Sequence, residues 1–143
     1  MTDSQHLLQN CLYFTANALA RTVTRMAEEA FRPTGLSPSH AFLMMLVNEE
    51  PGIGQKDLGE VLQLAPSTVT RFIDTLAYKG FVERRSEGKL SRVFPTDTGA
   101  ALNGTIMKAW KTLYVRYSEV LGKATGDRLT AEIATASEQL MRS

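Results

Sequence analysis

Gly54-Gln-Lys-Asp-Leu-Gly-Glu-Val-Leu-Gln-Leu-Ala-Pro-Ser-Thr-Val-Thr-Arg-Phe-Ile-Asp-Thr-Leu76, followed closely by Phe81-Val-Glu-Arg-Arg85, decides how this chain reads. Leu58, Val61 and Leu62 recur at helical spacing and predict a short helix with those three on its inner face. Ala65-Pro66 then breaks the chain, and Pro66 suits the first position of a second helix. Val69, Phe72, Ile73 and Leu76 form the second helix's apolar stripe, which leaves Ser67, Thr68, Thr70 and Arg71 on its first exposed turns. Two helices in this order make a helix-turn-helix, whose second helix can meet base edges in a DNA major groove. Gly80 stops that helix, and Phe81 to Arg85 alternates as a strand does. Ser86-Glu-Gly-Lys89 is a turn, and Leu90 to Phe94 is the returning strand, so a hairpin wing follows.

Working outward, residues from about Ser4 to Phe31 form an uninterrupted helical stretch through Leu8, Cys11, Leu12, Leu19, Val23 and Met26. Arg32-Pro-Thr-Gly35 stops it. Ser37 caps a second helix with Pro38 at its first position. That helix, through Phe42 to Val47, is apolar nearly all round and is expected in the core. Beyond the wing, Thr96 caps a helix from about Gly99 to Gly122, through Leu102, Ile106, Trp110, Leu113 and Tyr117. A last helix spans about Asp127 to Met141. The expected architecture is mainly α with a small β-hairpin wing: a winged helix-turn-helix with N- and C-terminal dimerisation helices. It forms a single domain over residues 1–143, with dimerisation regions at about 4–34 and 97–143 and the winged helix at about 37–96. Long helices at both ends of so short a chain have more apolar surface than one copy buries, which points to a symmetric homodimer.

The chain has 143 residues, enough for one domain with a sizeable core. No apolar run approaches the ~20 residues of a membrane span, and no signal peptide is visible. One cysteine forms no internal disulfide, so the expected location is cytoplasmic. A net charge of +1 conceals a bias. Arg71, Lys79, Arg84, Arg85, Lys89 and Arg92 face only Asp74, Glu83 and Glu87 between residues 65 and 92. That segment carries +3 and the remainder −2, so positive charge gathers where phosphates would lie. His6 and His40 make no metal spacing with Cys11 or nearby carboxylates. No nucleophile triad, phosphate-cradling glycine loop or paired carboxylates appear; the reading is a non-enzyme without cofactor.

At this point the chain resembles the MarR family of dimeric winged-helix transcription regulators. The resemblance rests on Gly35-Leu-Ser-Pro-Ser39, Pro66-Ser-Thr-Val-Thr-Arg71, Gly80-Phe-Val-Glu-Arg-Arg85 and Pro95-Thr-Asp-Thr-Gly99, and covers nearly the whole length. It implies an operator-bound homodimer on palindromic double-stranded DNA, repressing a neighbouring gene until a small aromatic effector binds. The matching DNA-contact positions are Ser67, Thr68, Thr70 and Arg71, with Gln55 and Lys56 beside them. In the wing, Arg84 and Arg85 alternate, so one faces DNA while the other pairs with an acid. The family's Asp-x-Arg wing tip is represented by Glu87-Gly-Lys89 in a shorter loop, with Arg92 the other candidate for the minor groove. Gly54 and Ala65 stand where the family usually has capping residues, and Ala in place of a cap costs about 0.5–2 kcal/mol.

Tyr13, His40, Met44 and Trp110 are candidates for an effector pocket, although such residues at helical spacing are commonly core. Cys11 is similar in setting to the reactive cysteine of peroxide-sensing members, giving an alternative redox regulator. The tyrosine those members carry on the second helix is missing here. A third reading keeps the winged helix as a protein-interaction module without DNA binding.

Overall fold

The computed structural model describes residues 1–143. Its centre is α3 (Pro38–Glu49), which buries Ala41, Leu43, Met44 and Val47. The Ser37 hydroxyl accepts the His40 N–H at 3.2 Å, so the expected cap forms. α4 (Gln55–Leu62) and α5 (Pro66–Tyr78) pack on α3 and build the helix-turn-helix. α5 buries Val69, Ile73 and Leu76, and these three positions fix which side of it faces outward. In α4 only Leu58 is fully buried, while Val61, expected on the inner face, is 59% exposed. Leu58 and Leu62 lie within 40° of each other on a helical wheel; Val61 falls outside that narrow stripe.

The wing is larger than a hairpin. β2 (Val82–Glu87) and β3 (Leu90–Pro95) pair antiparallel, and β1 (Ile53–Gly54) adds a third strand on the other side of β3. β1 has two residues, too few for alternation to signal. Glu87 pairs with Leu90, which leaves a two-residue loop with Gly88 at φ +63°. A positive angle at the first loop residue suits the right-handed strand twist and favours glycine.

The first long helix is two. Thr2 and Gln5 close a capping box on α1 (Asp3–Gln9), and both Asn10 nitrogens donate to the His6 carbonyl. Cys11 then turns extended, at φ −100° and ψ 119°, and α2 (Leu12–Phe31) starts afresh. Asparagine's side chain competing for a backbone carbonyl is a local choice that apolar periodicity does not register. The helix expected from Gly99 likewise divides at Leu102 into α6 (Asp97–Ala101) and α7 (Asn103–Leu121). α8 (Lys123–Met141) follows directly on Gly122, whose φ of +88° makes the corner. α2 packs on α7, tied by Arg116 to Glu29 at 2.5 Å. α8 is tied back to α7 by Asp127, which accepts from Tyr114 Oη at 2.8 Å and Lys123 Nζ at 2.9 Å. No helix is long and apolar enough to cross a membrane.

The terminal helices leave apolar side chains in solvent. Leu7, Leu12 and Tyr13 at one end, and Val120, Leu140 and Met141 at the other, are each at least 60% exposed.

Gly99 sets a hard limit on packing. A Cβ there would meet the Phe81 carbonyl oxygen at 2.1 Å and the Met44 methyl at 2.9 Å. Gly104, also helical, has nothing within 4 Å of the corresponding position. Urea unfolding is therefore expected to show Gly99→Ala destabilised by about 2 kcal/mol or more. Gly104→Ala should gain about 0.5–1 kcal/mol. Equal effects at the two positions would contradict this packing.

Candidate nucleic-acid interface

Packing of Val69, Ile73 and Leu76 turns the opposite side of α5 to solvent. Ser67, Thr70 and Arg71 are exposed there, and Thr68 is half-buried. Neither α4 nor α5 has a side-chain cap, since Gly54 and Ala65 offer no acceptor. Free N–H groups and a positive helix end are thus left at the start of α5, a disposition that favours anions.

The polar residues expected at this surface divide into two groups. Arg71, Lys56 and Lys89 are exposed and make no ion pair. Arg71 reaches only the Thr68 hydroxyl, at 3.4 Å. Ser67 makes no side-chain hydrogen bond and lies one turn before Arg71. The second group is engaged within the protein. The Thr70 hydroxyl donates to the Pro66 carbonyl at 3.0 Å and accepts from Gln55 Nε2 at 2.7 Å. Arg84 bonds Asp74 and the Thr70 carbonyl. Arg92 pairs with Glu87 at 2.6 Å and donates to the Gly52 carbonyl at 3.1 Å.

One expectation about the wing is corrected. Arg84 and Arg85 were to divide between DNA and an acid, but both pair with acids. Arg84 meets Asp74 at 2.6 Å, and Arg85 meets Glu83 at 2.5 Å while lying 4.2 Å over the Phe94 ring. Strand alternation explains this: Glu83 and Arg85 share the outward face of β2, and Arg84 is turned inward toward α5. Arg85 also stands directly opposite Arg92 across the ladder. Two like charges there are unfavourable unless each has an acid, and Glu83 and Glu87 supply them.

The four candidate effector residues do not converge. Met44 is wholly buried in the core, and Tyr13 is 78% exposed on α2. Trp110 stacks on Tyr114, and His40 stacks on Phe72 of α5 with centroids 4.2 Å apart. Helical spacing placed each on an apolar stripe, but stripes of different helices face different neighbours. Two cavities lie elsewhere. One, of about 480 Å³, is lined by Leu19 and Val23 of α2, Tyr117 and Leu121 of α7, and Leu129 and Ile133 of α8. The other, of about 530 Å³, lies between α2 and α7 beside Glu29 and Lys108. Apolar periodicity detects the residues lining the first but not that they leave a gap. Cys11 is half-buried at the break between α1 and α2.

A recognition-type helix resting on a second helix, followed by a three-stranded wing, defines the chain as a winged helix-turn-helix protein. It is a MarR-family protein: that family's model matches residues 36–87, from the start of α3 through β2. Over 137 residues it is 23% identical to the HTH-type transcriptional repressor MdtR of Bacillus subtilis, covering 92% of this chain and 88% of that one. It is 26% identical over 84 residues to the uncharacterised HTH-type transcriptional regulator YybA of the same organism; the match spans 57% of this chain and 56% of YybA. In three dimensions it is similar to the transcriptional repressor CouR bound to p-coumaroyl-CoA, with a TM-score of 0.82 at 22% identity, covering 91% and 94% of the two chains. That likeness establishes the fold.

His40 links α3 to the outward-facing helix, and its protonation is coupled to folding. Burial, and secondarily the charge of Lys79, hold its imidazole below its ordinary value near 6.5. Its Nδ1 is 2.5 Å from Ser37 Oγ. Between the depressed folded value and 6.5 the unfolded chain binds more protons, so stability falls as pH drops through that window. Denaturation measured from about pH 7 down to about pH 5 should show this loss, and His40→Gln should remove its contribution. An unchanged pH slope in that variant would contradict the assignment.

Proposed function

We propose that this MarR-family transcription regulator is a homodimeric DNA-binding protein that occludes the promoter of a neighbouring gene and is released by a small apolar effector. The observation that carries the reading is the unpaired Arg71, beside Ser67 on the exposed start of α5, with the unpaired Lys89 at the wing tip. Arg can pair bidentately with a guanine edge, and a hydroxyl can serve phosphate or base. Lys56 and Lys89 are placed as phosphate contacts. Thr68 and Thr70 support the helix start, and Gln55, Arg84, Arg85 and Arg92 hold the frame.

The terminal regions, about 4–34 and 97–143, serve as the dimerisation surface. Their exposed leucines, tyrosine and valine form faces that a second copy would cover. A two-fold dimer presents two copies of α5, which suits half-sites about 34 Å apart on a palindrome. MepR of Staphylococcus aureus, a structural neighbour with a TM-score of 0.79, was solved as a DNA complex. CouR was solved with p-coumaroyl-CoA, which supports an effector containing an aromatic acyl group or a similar apolar body.

Selection from random duplexes tests the proposal. Enrichment of a palindromic site, with binding that weakens steeply with salt, is expected. On that site Arg71→Ala should relax preference at one base pair by about 1–3 kcal/mol. Lys89→Ala should weaken all sequences evenly and reduce the salt slope by about 0.9. No enriched site and no salt dependence would overturn the DNA reading. Equal, sequence-independent losses in both variants would contradict the two residue roles.

A further inference from the structure

Strand alternation places Val82 and Arg84 on the same inward face of β2. Val82 is buried in the core, and every residue of β2 beyond it is exposed. The outer wing is therefore held to the body by few side chains, and Arg84 is one of them. Its guanidinium spans two acceptors one helical turn apart on α5. Nη1 lies 2.6 Å from the Asp74 carboxylate, and Nη2 donates to the Thr70 carbonyl at 3.0 Å. The hydroxyl of that same Thr70 accepts from Gln55, the first residue of α4. One turn of α5 is thus gripped by the wing from one side and by the preceding helix from the other.

Resting on the DNA-reading function above, we propose that Arg84 is a positioning residue: it sets the wing at a fixed angle to the recognition helix and does not contact phosphate. An exposed ion pair alone adds little stability. A planar fork that meets two acceptors at once instead fixes direction, which a single ammonium cannot do. A fixed angle matters because Arg71 and Lys89 belong to different elements and must meet one duplex together. Every degree of play between them lowers the fraction of molecules in which both make contact.

The charge of Asp74 makes the proposal testable. Asp74 is 58% exposed on α5, so replacing it by alanine removes a negative charge near DNA and suits a helix. Electrostatics alone would then tighten binding. The positioning role requires the opposite: Asp74→Ala should weaken binding to a selected palindromic duplex about tenfold, the effect of losing one charge-assisted hydrogen bond. Arg84→Lys, which keeps the charge but not the fork, should be as weak as Arg84→Ala. The Arg84→Ala/Asp74→Ala double variant should be no weaker than either single change. Binding by Asp74→Ala as tight as wild type or tighter, or full recovery in Arg84→Lys, would overturn the proposal. Should no duplex be selected at all, the proposed function falls, and amide exchange in the free protein decides the coupling separately. Faster exchange of the Ser86–Ser91 hairpin in Asp74→Ala would then support it, and unchanged exchange would refute it.

Discussion

Burial of Val69, Ile73 and Leu76 allows α5 only one rotation about its axis. With those side chains at 1%, 0% and 0% exposure, a turn of even one residue would pull an apolar group into water and push a polar one into the core. The exposed identities of Ser67, Thr70 and Arg71 are consequences of that constraint. So is the reach of Arg84, because Asp74 and the Thr70 carbonyl face β2 only in this rotation. The reading surface is defined by the core beneath it.

The charge at this surface is used more economically than its composition implies. Six basic side chains gather between residues 65 and 92, yet Arg84, Arg85 and Arg92 each hold an acid of the same segment. Fixing those arginines stiffens the wing and removes them from the set that would release counterions on meeting phosphate. The cations left free are Arg71 and Lys89, with Lys56 at the start of α4 and Lys79 beyond the far end of α5. A small set of unpaired charges on a rigid frame suits discrimination by position better than attraction by bulk charge.

Much of this was legible in the sequence, for identifiable reasons. The Ser37 cap, the Pro66 start, the apolar stripe of α5 and the Gly88 turn are local choices that leave a local signature. The chain that follows Gly99 kept its helical character although it bends at Leu102. Three features were not legible. The break at Asn10–Cys11 depends on a side chain capturing one carbonyl, which periodicity ignores. β1 is too short for any pattern and exists because β3 offers an edge. The pairing of Gln55 with Thr70, and of Arg84 with Asp74, joins residues fourteen or fifteen, and ten, positions apart. Each looked like a DNA contact because hydroxyl, amide and guanidinium groups serve both purposes equally well.

The cavities belong to the same class of late information. Leu19, Tyr117, Leu129 and Ile133 were readable as apolar positions, but only the crossing of α2, α7 and α8 leaves space among them. The central claim concerns α5 and the wing, and backbone amide NMR shifts of the protein titrated with its selected duplex address it directly. The account predicts that the largest changes fall at Ser67, Thr68, Arg71 and Lys89, with Leu19, Leu129 and Ile133 nearly still. Changes centred on α2 or α8, with Ser67 to Arg71 unmoved, would contradict it.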